Sequence, residues 1–159
     1  MTRLFCLLIT LALWQGSSGR ATTPGVTDTV QRSLRTNVQQ SISTGSARQL
    51  ATYFDKSIEL IIDSEAVEFP SVQATHAELI LKSFFRKYPP RHFEYVYHDD
   101  GTRRRHSTGT YQTGRETFQV YVLMHETRVR AGQNAAPQPP HYRISSLHFR
   151  KINGAVPNF

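Results

Sequence analysis

THAELILKSFFRKYPPRHFEYVYH, Thr75 to His98, is the stretch from which the rest of the chain can be read. Ala77, Ile80, Leu81, Phe84, Phe85 and Tyr88 recur at helical spacing, so one side of the segment is an apolar stripe that requires a partner surface. Thr75 and Glu78 have the spacing of a capping box, in which each side chain satisfies a backbone N–H at the helix entrance. Pro89 and Pro90 end the helix, because proline lacks a donor and forces the residue before it out of the helical region. The chain re-emerges as Phe93-Glu94-Tyr95-Val96-Tyr97, a strand alternation. A helix feeds directly into a sheet.

Upstream, Val26, Val30, Leu34, Val38 and Ile42 repeat every fourth position and mark a first amphipathic helix, closed by Gly45. Ser46 with Gln49 opens a second, with Ala47, Leu50, Ala51 and Phe54 as its buried side. Ile58 to Ile62 is β-branched and reads as a strand; Val67 and Phe69 read as a short return stopped by Pro70. Downstream, Asp99-Asp100-Gly101 and Thr113-Gly114 are turn signals that bound a strand near His106–Thr113. Glu116–Thr127 is apolar on both faces and is expected at the centre of a sheet. Ala131–Pro140 is a proline-rich connection. In the last strand, Tyr142–Lys151, Ile144 is out of phase with Leu147 and Phe149, which predicts a bulge near Ser145-Ser146. The order predicts an α+β domain over residues 26–152, with helices on one face of a curved antiparallel sheet.

The N-terminus has the pattern of an export signal: Arg3, an apolar run from Leu4 to Trp14, and small residues Gly16 to Gly19 for cleavage. The run is shorter than the roughly 20 residues a membrane-spanning helix needs. Residues 1–19 are therefore read as a signal peptide, 20–25 as a flexible lead-in and 153–159 as a tail, placing the mature chain in the periplasm or outside the cell without a transmembrane anchor. The lone cysteine, Cys6, leaves with the signal, and with it thiol nucleophiles, disulfides and thiolate metal ligands. With 38% hydrophobic and 19% charged residues, the composition is that of an ordinary globular chain. Its net charge of +7 would suit nucleic acid inside a cell; for an exported chain an anionic envelope polymer or lipid head group is the expected attraction.

The run Ala77 to Pro90, the Gly45 to Leu50 junction, Tyr53-Phe54, the Ile58–Ile62 strand and the Phe118–Leu123 strand resemble domain of unknown function 4783, a family of small exported bacterial proteins. The resemblance implies a nuclear-transport-factor-2-like, or cystatin-like, cone: three helices packed on a strongly curved antiparallel sheet, with a pocket at the wide end. It implies no catalytic motif. Dimers through the outer sheet face are a habit of that fold. This chain departs from the family pattern in its proline-rich connection and in Arg103-Arg104-Arg105, which are longer or more basic.

Candidate chemistry follows from residue type. The seven histidines, His76, His92, His98, His106, His125, His141 and His148, show neither H-x-H nor H-x-x-x-H spacing, so neither a metal nor another cofactor is expected. Arg103, Arg104 and Arg105 are a candidate patch for anionic surfaces, or charge protecting a sheet edge. The leading functional reading is a non-enzymatic binding or interaction module for a small apolar ligand or a protein partner, through the cone pocket or the sheet face. The expected pocket lining is Tyr53, Phe54, Phe84, Phe85, Tyr95, Tyr121 and Tyr142. The alternative is a small enolising isomerase, dehydratase or hydrolase. It would pair a donor among Tyr53, Tyr95, Tyr97, Tyr111 and Tyr121 with a base among Asp55, Glu59, His98 and His125.

Overall fold

The computed structural model describes residues 26–99, 101, 103–127 and 141–152. The expected signal segment and lead-in, the Ala131–Pro140 connection and the expected tail lie outside these residues, as do Cys6 and Asp100. Helix α1 (Val26–Ser43) and the short α2 (Ala47–Ala51) meet at Gly45, whose φ of 65° is the left-handed turn that glycine adopts without strain. An added Cβ there would lie 3.2 Å from Pro90 Cδ and 3.4 Å from Phe85 Cβ, so the junction is also a close approach to α3 (Ala74–Lys87). Ser46 caps α2 by accepting from the Gln49 N–H. That helix is too short to include Phe54, which instead opens strand β1 (Phe54–Ile62).

A 3-10 turn at Asp63–Glu65 leads to β2 (Val67–Gln73). Pro70 does not stop β2: the strand lies at the sheet edge, where a missing donor is tolerated, and a register shift opposite Ile58–Leu60 absorbs the misfit. Nor does Thr75 cap α3. Gln73 is still paired with Ser57 in the sheet, so the strand runs directly into the helix, and Gln73 caps it with no side-chain bond. After Pro89-Pro90 come β3 (His92–Asp99), β4 (Arg104–Gln112), β5 (Thr117–Thr127) and β6 (His141–Lys151).

The sheet order is β2-β1-β6-β5-β4-β3. β6, the last strand, lies between β1 and β5, parallel to β1 and antiparallel to β5. The expected wholly antiparallel sheet is therefore mixed. It is also an open sheet, with β2 and β3 as separate edges, and is curved rather than strongly curled. The predicted bulge is present: Leu123 pairs with Ser146 and Met124 with Ile144, leaving Ser145 as the extra residue.

The core lies between the helices and one sheet face. Phe84 is its centre, buried with ring centroids 4.6 Å from Phe149, 5.2 Å from Tyr88, 5.4 Å from Phe118 and 5.9 Å from Tyr111. Ala77, Leu81 and Phe85 of α3, Val38 and Ile42 of α1, and Leu50 of α2 complete the helical side, while Leu34 packs against the edge of this core. The side chains of Val26 and Val30 lie outside the described residues. Among those residues no helix is long and apolar enough to cross a membrane.

Candidate functional site

Because side chains alternate across a strand, the face away from the helices is built from the residues between the core positions. In β6 these are Ser146, His148 and Arg150; cross-strand pairing sets Leu123, Tyr121 and Gln119 of β5 beside them. Thr108 of β4 is opposite Tyr121, and Glu59 of β1 opposite Ser146. Together these side chains surround a hollow of about 480 Å³ on the outer face.

Three of them form a closed triangle. The Ser146 hydroxyl donates to Glu59 Oε2 at 2.6 Å and lies 2.8 Å from His148 Nε2, which is itself 3.0 Å from the same carboxylate oxygen. The Ser146 hydroxyl, and then His148, hold the Glu59 carboxyl below its ordinary range, against an opposing push from desolvation. Aromatic rings continue the row across the sheet: His148 lies 5.4 Å from Tyr121, Tyr121 6.2 Å from His106, and His106 5.4 Å from Tyr97. Two further acid–imidazole pairs flank it, His125 with Asp55 at 3.3 Å and His106 with Asp99 at 3.5 Å. Among the described residues no three His, Cys, Asp or Glu side chains gather to hold a metal ion.

The residues expected to line a cone pocket go elsewhere. Phe54, Phe84, Phe85 and Tyr142 are buried in the core, and Tyr53 and Tyr95 pack against it. Of the seven, Tyr121 lines the outer hollow. The helix-covered face gives these rings apolar neighbours, so packing takes the side chains that a pocket there would need. Burial pushes the Tyr95 and Tyr111 hydroxyls up, with Arg35 opposing the rise at Tyr95, and Tyr111 already donates to the Tyr88 carbonyl. Of the candidate bases, Asp55 and His125 meet each other, Glu59 belongs to the triangle, and His98 is exposed on β3.

The arginine run does not form one patch either. Arg103 and Arg104 are exposed, whereas Arg105 points to the opposite face. There its guanidinium lies 4.1 Å over the Tyr142 ring and its Nε donates to the Gly101 carbonyl. Sequence reasoning named Glu59 and His148 separately and missed Ser146 as their link. Ser-x-His on a strand is a same-face pair, but Glu59 joins it only through the parallel β1–β6 contact, 87 residues away.

The family model described as domain of unknown function (DUF4783) matches residues 35–131, more than half of the chain. The chain belongs to the DUF4783 family. No curated protein matches it. A DUF4783 protein from Bacteroides ovatus superposes with a TM-score of 0.60 at 20% identity, covering 74% of this chain and 94% of that one. A second, from Bacteroides uniformis, gives 0.61 at 18% identity, covering 75% and 97%. A cystatin-like domain of unknown function from Nostoc punctiforme gives 0.56 at 10% identity, covering 83% and 81%. At these identities the likeness is one of fold, and it places this DUF4783 chain among α+β proteins with a curved sheet.

Proposed function

We propose that the protein is an exported, non-enzymatic binding module whose ligand sits on the outer sheet face, in the hollow over Tyr121 and His148. The observation that carries this reading is the triangle at Glu59. In a nucleophilic relay the imidazole stands between hydroxyl and carboxylate, one on each ring nitrogen. Here both meet Nε2, so the carboxylate holds the serine proton directly and nothing is left to draw it away. Ser146 is moreover only 3% exposed.

An enolising site fares no better. Its base needs a raised proton affinity, and that of Glu59 is lowered. Tyr95 and Tyr111, two of the donors that could polarise a carbonyl, belong to the packed face, and Tyr121, which lines the hollow, shares it with a Glu59 carboxylate already engaged by Ser146 and His148. What the hollow offers is recognition: hydroxyl, amide, imidazole and guanidinium groups from Thr108, Gln119, His148 and Arg150 around the apolar Tyr121 and Leu123. This lining suits a small molecule with several polar groups better than the purely apolar ligand expected from the sequence.

Calorimetric titration with neutral and acidic sugars, amino acids and dicarboxylates tests the reading. A binder is expected, with affinity reduced about tenfold or more in Arg150→Ala and in His148→Ala, each shown to be folded by its thermal melt. Turnover of a ketone or ester substrate that disappears in Glu59→Gln would overturn it, as would binding indifferent to both alanine variants.

A further inference from the structure

The two sheet edges are not equivalent. β2 is blunted by Pro70, which lacks the backbone donor a pairing strand needs and is one of the devices that keep edges apart. β3 has neither proline nor lysine, and it carries two of the large hydrophobic residues left in the open, Val96 at 64% and Tyr97 at 52% exposure. Among the described residues β3 has one strand neighbour, β4, with α1 lying against it.

We propose that β3 is a dimerisation edge, occupied by β3 of a second copy running antiparallel. The argument is self-complementarity. With a two-fold axis between Tyr95 and Val96, His92 falls opposite Asp99 of the other copy, Phe93 opposite His98, and Glu94 opposite Tyr97. In an unbroken strand an axis between two positions would pair residues that point to opposite faces, and the contact would be excluded. The register shift between Tyr95 and Tyr97 changes the phase of β3 at that point. Its outward residues are thereby His92, Glu94, Tyr97 and Asp99, opposite Gln112, Thr110, Thr108 and His106, and its inward ones Phe93, Tyr95 and His98. Every pair named above then shares a face. The bulge that would isolate an edge strand makes this one compatible with itself, and each end sets the His92–Glu94 pair of one copy beside the Asp99–His106 pair of the other.

Sedimentation equilibrium of the processed full-length chain tests the proposal, with hydrogen exchange reporting on β3 amides. The wild type is expected to be a dimer with protected β3 amides. Val96→Lys, which blunts the edge without touching the charge pairs, and Asp99→Lys, which sets a cation against the other copy's His92, should each weaken the dimer about tenfold or more. Adding His92→Asp to Asp99→Lys should restore it, and thermal melts of each variant report that it is folded. A monomeric wild type, or a dimer indifferent to both lysine substitutions, overturns the proposal. Protection of β3 only on adding a synthetic extended peptide to a monomeric protein also overturns it, and makes the natural occupant a foreign strand.

Discussion

Ser146 does more for the outer face than its size suggests, because one hydroxyl ties Glu59 and His148 into a fixed group. The folded carboxyl of Glu59 titrates below the ordinary 4.5, chiefly through that hydroxyl. A depressed folded value means that the ionised carboxylate stabilises the fold above about pH 4.5, and that this contribution is lost as pH falls through the lower folded value. In Ser146→Ala the Glu59 midpoint, followed by carboxyl NMR, is expected to rise toward its ordinary value. Acid unfolding should begin at higher pH in the same variant. An unchanged midpoint would mean that His148 alone sets the Glu59 titration.

At the scale of elements, α3 holds the molecule together through one residue more than any other. Phe84→Ala removes a ring in contact with five others and should cost about 3–5 kcal/mol in denaturant unfolding, the range for a large core deletion. Leu79→Ala on the same helix, 61% exposed, should cost under about 0.5 kcal/mol. This contrast was legible from the spacing of residues 77 to 88, as were the order of elements and the β6 bulge at Ser145, since periodicity records which side of an element is buried. Three local signals misled for non-local reasons. Pro70 is tolerated because β2 is an edge, Thr75 is no cap because β2 continues to Gln73, and Phe54 left α2 for β1 because that helix ends at Ala51. The site was less legible than the fold, because Glu59 and Ser146 are brought together by a parallel pairing that no local pattern announces.

For the whole molecule, the proposed function presumes export, and this has its own measurement. Mass spectrometry of protein recovered outside the cytoplasm is expected to show a chain beginning after Gly19 or Ala21, whereas an intact Met1 would remove the envelope setting. The sheet order adds a constraint on when such a chain can fold. Since β6 is the strand that joins β1–β2 to β3–β4–β5, a nascent polypeptide short of residue 141 holds two strand groups that meet only through α3, with no strand pairing between them. Closure of the sheet must wait for β6, which is the slow, late step expected of a topology rich in distant contacts. A sheet assembled in this order stays unfinished until β6 arrives, the condition in which a chain can still be threaded through a secretion channel.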